Sequence, residues 1–368
     1  MNSSWNIAQL GDIYEFSSGL SKSRSEFGSG YPFLGFKDVF YNSAIPNKLE
    51  ELVQSNEKEQ KKCSIKRGDV FLTRTSETMN ELGMSCVALQ DVPFATFNGF
   101  SKRLRPIRKD SVVPEYARYY FRSNIFRQKV NSMATMSTRA SLNNEILQRL
   151  EIILPPKNDQ KIIGHILGTF DEKIELNKKT NKNLEDIAKG LFKSWFIDFD
   201  PVKAKSEGRS TGLPNKISDL FPDSFEDSEL GEIPRGWEIR PLRNLIDFQN
   251  GYAFKSNNWK DSGIPVVKIG SVKPGIVDLS NVSYVDEEIA NSCEEFRLSP
   301  GDILIGMTGY VGEVGLVPRG NIAPLLNQRV GKLIPKNIHY KSFIFCLARS
   351  NAFRKKVEEL SSGSAQAN

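Results

Sequence analysis

The residues best equipped for chemistry are few and scattered. Asp171-Glu172-Lys173 has the D-x-K spacing of a nuclease metal site, but no Pro-Asp precedes it and it lies in a heptad-patterned stretch. It reads as charge on a helix face. Glu294-Glu295 is a carboxylate pair with no supporting histidine; the chain has only two histidines, His165 and His339. The four cysteines, Cys63, Cys86, Cys293 and Cys346, form no CxxC pair, which fits a reducing cytosol and no metal site. No GxxxxGK[ST] loop is present for a nucleotide-hydrolysing motor. The one Pro-Pro, Pro155-Pro156 after Leu154, is not the polar-Pro-Pro-aromatic loop of a base methyltransferase. No glycine-rich cofactor loop follows a strand. These residues form no catalytic constellation. What remains are polar and basic side chains in Gly/Ser frames, suited to phosphates and base edges. One set is Lys22 and Arg24, then Arg74, Thr75 and Ser76, then Asn98, Lys102, Arg103 and Arg105. A second set is Lys255, then Thr308 and Tyr310, then Asn327, Gln328 and Arg329.

Two sets arise because the sequence is written twice. SNIFRQKV at 123–130 returns as SNAFRKKV at 350–357, with six of eight letters shared. Trp5, Leu10, Phe16 and Gly19 recur as Trp237, Leu242, Phe248 and Gly251, all 232 positions on. KRGDVFL (66–72) matches SPGDILI (299–305), Gly83 through Ala88 parallels Gly312 through Val317, and Asn98 and Pro106 match Asn327 and Pro335. STRASLN (137–143) matches SGSAQAN (362–368). The order is kept throughout, so the chain holds two copies of one domain. Each copy reads as mixed and β-rich. GDVFLTR and GDILIGM open on a Gly-Asp turn and enter strands, with GMSCVALQ and GEVGLVPR as partner strands. PEYARYYFRSNIFRQKVNSM has helical spacing, which puts the repeated phrase on the last helix of each copy. Phe126 and Phe353 then pack a core, and Arg127 and Arg354 face out.

Between the copies lies a long amphipathic stretch. Pro155-Pro156 precedes it, Asn158 or Asp159 can cap it, and a helix is expected from about Asp159 to Trp195, ending before Pro201. Ile163, Leu167, Phe170, Ile174, Leu184, Ala188, Leu191 and Trp195 form a 4–3 seam over about five heptads, the pattern of a coiled coil. Asn177 and Asn181 fall on the same seam; they either fix register or mark a solvated break. At 1.5 Å per residue the helix would be roughly 55 Å long. Residues 202–236, polar and acidic with Gly and Pro, read as a linker.

At 368 residues and 39% hydrophobic, each half is long enough for its own core. A net charge of +6 permits a polyanionic partner. No run approaches 18 apolar residues, so no helix spans a membrane, and MNSSWNIAQLGD lacks the regions of a signal peptide. Two similar domains on a helical spacer suit two separated sites on one long ligand, and double-stranded DNA is the natural candidate. The copies differ most in their loops, as expected if each reads a different short sequence.

The order of these pieces resembles the specificity subunit of type I restriction–modification enzymes. The resemblance rests on the Trp-x4-Leu opening of each copy, the GD[VI] strand and the SNxFRxKV helix. It rests most on ILPPKNDQKIIGHILGTFDEKIE followed by LFKSWFIDFDP, similar to the family's central conserved region. It implies an α+β fold of two β-rich target-recognition domains separated by a long coiled-coil-type helix. The boundaries would be 1–156 for the first domain, 157–200 for the central helix, 201–235 for a linker and 236–368 for the second domain. It implies a non-catalytic cytoplasmic subunit that reads a bipartite DNA target and docks methyltransferase and restriction subunits. No cofactor would be bound by this chain; S-adenosylmethionine, ATP and magnesium would belong to the partners. The helix-pairing interface would be Ile163, Leu167, Phe170, Ile174, Asn177, Asn181, Leu184, Leu191 and Trp195.

Members of that family carry a second conserved helix after the second domain, whereas here the second copy stops at SGSAQAN. The unpaired seam is therefore expected to drive self-association, and one methyltransferase docking site to be weakened. A truncated specificity protein acting as a half-functional or decoy subunit is one alternative. A coiled-coil scaffold that binds only protein is another, and an enzyme with an unrecognised site is a third.

Overall fold

The structure, a computed structural model, describes residues 5–76, 81–109, 111–133, 135–136 and 140–361. The chain divides into two compact units, Met1–Lys179 and Thr180–Asn368, with the division inside one long helix.

The main sheet of unit 1 runs β2 (Tyr14–Ser18), β9 (Ser101–Pro106), β5 (Val70–Thr73), β7 (Ser85–Val87), all antiparallel. A second sheet runs β4 (Leu52–Val53), β3 (Phe27–Leu34), β8 (Thr96–Phe97), the last pair parallel. Small pairings complete it: β1 (Asn6–Gln9) with β12 (Glu151–Leu154), and β10 (Thr135–Met136), β11 (Ala140–Ser141) and β6 (Thr75–Ser76). The helices are α1 (Leu10–Ile13), α2 (Phe36–Tyr41), α3 (Glu57–Lys62), α4 (Pro114–Tyr120), α5 (Asn124–Met133), α6 (Asn144–Arg149) and α7 (Lys157–Phe196).

Unit 2 repeats this plan. Its main sheet runs β15 (Ile246–Asn250), β23 (Val330–Pro335), β20 (Ile303–Gly306), β21 (Val314–Leu316), extended at the edge by β18 (Gly275–Val277) and β17 (Val272–Lys273). Its second sheet runs β19 (Ser283–Val285), β16 (Ile264–Val267), β22 (Leu325–Leu326), again with one parallel pair. A hairpin of β13 (Phe225–Ser228) and β14 (Gly231–Pro234) precedes it. Its helices are α8 (Asp200–Ser206), α9 (Asn215–Ser218), α10 (Glu287–Ser292), α11 (Lys341–Ala348) and α12 (Asn351–Ser361).

The repeated Gly-Asp has a geometric cause. In each copy a four-residue turn closes by an N–H···O bond, Asp69 to Lys66 and Asp302 to Ser299, both 3.0 Å. Gly68 and Gly301 hold φ of 92° and 83°, which a side chain would strain. Each Asp then accepts the N–H three residues back at 2.8 Å. The strand that follows is buried on both faces, so it reads as a continuous apolar run. Val70 and Leu72 face Phe121, Phe126 and Val130 on one side, and Phe71 faces Leu34, Cys86 and Phe97 on the other. In unit 2, Ile303 and Ile305 face Ile344, while Leu304 faces Val267 and Leu326.

The repeated phrase spans a break that its helical spacing did not show. PEYARYYFRSNIFRQKVNSM forms two helices, α4 and α5, and its counterpart forms α11 and α12. The serine of the phrase starts the second helix: Ser123 Oγ accepts Phe126 N–H at 3.3 Å and Ser350 Oγ accepts Phe353 N–H at 3.2 Å. Phe126 is buried and Phe353 packs partly against the core. Arg354 is exposed, but Arg127 is half-buried and donates to the Leu82 carbonyl, correcting its outward placement. In unit 1 α5 is not the last helix of its copy, since α6 follows. Of the repeat pair STRASLN/SGSAQAN, residues 137–139 and the whole second segment, 362–368, lie outside the described residues.

The stretch read as a linker is structured. α8, α9 and the β13–β14 hairpin occupy it, and Val202, Ala204 and Phe221 are buried. A polar average hid a few well-spaced apolar anchors. α7 begins at Lys157, directly after Pro156, rather than at Asp159.

Candidate nucleic-acid interface

In each unit three loops meet at one end of the main sheet, where β2 and β5 end and β9 begins, or β15 and β20 end and β23 begins. Backbone bonds tie them in the same way. In unit 1 Gly99 donates to the Leu20 carbonyl at 2.7 Å and Arg74 to the Phe100 carbonyl at 2.9 Å. In unit 2 Gln328 donates to Tyr252 at 2.9 Å and Met307 to Arg329 at 3.1 Å. The repeated Gly19 and Gly251 lie against carbonyls of Phe97 and Asn98, and of Leu326 and Asn327, where a Cβ would overlap them. The sequence repeats these residues because the frame requires them.

The structure sorts the candidate residues into frame and rim. Asn98 and Asn327 are buried and shape their loops. Asn98 Nδ2 donates to the Leu34 carbonyl at 3.0 Å, and its Oδ1 accepts Phe100 N–H at 2.9 Å. Lys102 and Arg103 are buried on β9. Lys102 Nζ donates to Ser18 Oγ at 3.0 Å and Asn144 Oδ1 at 2.7 Å; burial, then the nearby Arg74 charge, lowers its pKa. Arg103 donates to the Ser64 carbonyl at 2.7 Å and lies over the Phe97 ring, its pKa lowered by burial first and by Arg105 second. Arg105 grips the buried Asp69 carboxylate with two bonds of 2.7 and 2.6 Å. Each of these five side chains has at least one hydrogen bond inside its own unit, although the buried Arg103 Nε has no hydrogen-bond partner among the described residues.

Lys22 lies between Glu26 at 3.0 Å and Glu59 at 2.8 Å. Bonds to Glu59 and then Glu26 raise its pKa, so its charge is largely neutralised locally. Arg24, Lys255, Tyr310, Gln328 and Arg329 are exposed, while Arg74, Thr75 and Thr308 are half-buried on the rim. The Ser76 side chain lies outside the described residues. The rim also carries an aromatic not singled out from sequence: Phe100 is 64% exposed beside Arg74. The repeat held the signal for Phe100, because aligning Asn98 with Asn327 sets Phe100 opposite Arg329.

α7 is seated at each end on its own unit. In unit 1 Gly164 lies against Glu115 and Tyr116 of α4. Asp171 accepts from Tyr119 at 2.7 Å and pairs with Arg118 at 2.7 Å, so its carboxylate works in helix packing. The buried Gln160 accepts Val113 N–H at 2.9 Å and donates to the Pro155 carbonyl at 2.8 Å. In unit 2 Phe192 and Phe196 pack on Phe343 at 5.5 and 5.2 Å, and Glu185 pairs with Arg349 at 3.3 Å. Seam residues Leu167, Phe170, Ile174, Leu184 and Leu191 stay exposed, with Asn177 and Asn181, while Ile163 and Trp195 are half-buried. At the C-terminal end Phe192, one place from Leu191, is the residue that turns inward.

Among the described residues no group of three His, Cys, Asp or Glu side chains is placed to hold a metal, and no helix is long and apolar enough to cross a membrane.

Residues 2–186 and 234–368 match the family model of the type I restriction modification DNA specificity domain. The chain is 27% identical over 360 residues to the type I restriction enzyme MjaIX specificity subunit of Methanocaldococcus jannaschii, covering 94% of this chain and 76% of that one. It is 26% identical to the HindI specificity subunit of Haemophilus influenzae, covering 98% of this chain and 86% of that one. Its fold is similar to the crystal structure of the type I restriction-modification S subunit from M. genitalium, with a TM-score of 0.51 at 16% identity, over 99% of this chain and 81% of that one. The chain belongs to the family of type I restriction–modification specificity subunits. Two β-rich domains in chain order, with the long helix α7 between them, make its α+β architecture.

Proposed function

We propose that the chain reads a bipartite DNA target, one half by each loop rim, and does no chemistry itself. The observation that carries this is the doubled frame. The same three loops are pinned by the same backbone bonds in both units, and they present different exposed side chains. A frame kept while its surface changes suits two readers of unlike sequence. Phosphate contacts would come from rim cations such as Arg24, Arg74 and Lys255, and base contacts from the loop tips. The exposed seam of α7 would dock methyltransferase subunits, with restriction subunits joining the assembly, and would also support self-association. S-adenosylmethionine, ATP and magnesium would be held by those partners, in the cytoplasm.

Titrating a labelled duplex with the chain and its methyltransferase subunits, across a range of salt, tests the reading. The logarithm of the affinity should fall linearly with the logarithm of salt as counterions are released. DNA affinity that is absent, or flat with salt, would favour the protein-binding scaffold instead.

A further inference from the structure

Asn98 and Asn327 occupy the same place in the two copies and make the same turn. Each is buried, at 6% and 8% exposure. Each side-chain oxygen accepts the backbone N–H two residues on, Phe100 at 2.9 Å and Arg329 at 3.3 Å. Such a turn is fixed by the asparagine and needs nothing from the side chains it carries. The tip residues are pinned through their backbones to the equivalent neighbouring loop of each unit, Gly99 at 2.7 Å to Leu20 and Gln328 at 2.9 Å to Tyr252. The frame thus holds two positions out on the tip. A Cβ at Gly99 would lie 2.7 Å from Ser21 Oγ and 3.1 Å from the Leu20 carbonyl oxygen, so in the first copy only the second position, Phe100, is left open to choice. One tip carries Gly99 and an exposed Phe100; the other carries Gln328 and Arg329, both exposed. A phenylalanine held out on a rigid tip forgoes burial until a partner covers it.

Building on the DNA-reading proposal above, we infer that this two-residue tip sets the sequence preference of each copy. Phe100 reads a thymine through its methyl group. Arg329 reads guanine, and Gln328 adenine, through paired hydrogen bonds to the base edge. Glycine at position 99 presents backbone alone, so the first tip offers a single apolar contact where the second offers two polar ones.

The test is selection from a pool of randomised duplexes by the chain in complex with its methyltransferase subunits, followed by sequencing of the bound DNA. The wild-type complex should enrich a motif in two parts. Arg329→Ala should lose about tenfold in preference for a guanine in one part and leave the other part unchanged. Phe100→Ala should lose preference for a thymine in the other part only. Replacing that thymine by uracil, which lacks the methyl, should weaken the wild type but not Phe100→Ala. Both positions are exposed, so unchanged thermal unfolding serves as the folding control. Two variants that retain the full wild-type motif would overturn the inference and leave DNA reading standing. A wild-type complex that enriches no motif would overturn the reading and the inference together.

Discussion

Gly164 and Gly190 lie on the same 40-residue helix and should respond in opposite directions to one added methyl group. Replacing a helical glycine by alanine is worth about 0.5–1 kcal/mol in backbone entropy alone. At Gly190 a Cβ meets nothing within 4 Å, so Gly190→Ala should realise that gain. At Gly164 the Cβ would lie 2.8 Å from Glu115 Cβ and 3.0 Å from the Glu115 carbonyl carbon and the Tyr116 nitrogen. Those atoms belong to α4 and its backbone, which cannot yield as a side-chain tip would. Overpacking of this kind costs about 1–3 kcal/mol, so Gly164→Ala should end net destabilising by up to roughly 2 kcal/mol. The shift would also stretch the Gln160–Val113 and Asp171–Tyr119 bonds, of 2.9 and 2.7 Å. Amide hydrogen exchange along α7 reads local opening directly. Gly190→Ala should slow exchange near 180–196 by up to about fivefold, 1.4 kcal/mol being tenfold, and Gly164→Ala should speed it near 157–179. Equal slowing at both ends would refute the seating of α7 on α4 through Gly164.

Three further outcomes are expected. Arg105→Met should cost about 3–5 kcal/mol in unfolding experiments on the chain, because it strands the Asp69 carboxylate, buried at 0% exposure, with the Lys66 N–H as its remaining bond. Glu26 is held at about 2 by the Ser23 N–H first and by Lys22 second, against an ordinary 4.5. Its stabilising contribution is therefore complete above pH 4.5 and fades as pH falls toward 2. By NMR titration, Lys22→Met should raise the Glu26 pKa part of the way back. Phe170 and Ile174 are 62% and 50% exposed on the seam. Phe170→Glu with Ile174→Glu should shift any self-association seen in light scattering toward monomer, while a wild-type chain that stays monomeric at high concentration would contradict the seam's role.

Much of the fold was legible because local and global signals agree in it. Gly68-Asp69 and Gly301-Asp302 mark a turn that only glycine relaxes into, and the apolar run behind them marks a strand covered on both faces. The 4–3 spacing from Ile163 to Trp195 marked α7. What stayed hidden depends on where side chains point. Lys102, Arg103 and Arg105 look like a basic patch in sequence, yet β9 lies inside a sheet, and its cations are drawn inward by Asp69, Asn144 and the carbonyl of Ser64. The break at Ser123 was masked because helical spacing continues across it. The turn inward at Phe192 rather than Leu191 depends on the aromatic Phe343, which is distant in sequence. The rim of the candidate site was legible only in part. Its exposed members, Arg24, Lys255, Gln328 and Arg329, stood out as polar loop residues, whereas Phe100 reads as a core residue until its turn is seen.

The most direct test of the central claim is to map methylated adenines by direct sequencing in cells that carry the methyltransferase subunit, with and without this chain. The account predicts a two-part motif, methylated only when the chain is present, with each part assigned to one loop rim. A complex that forms but methylates no motif, or methylates the same sites without the chain, would contradict it.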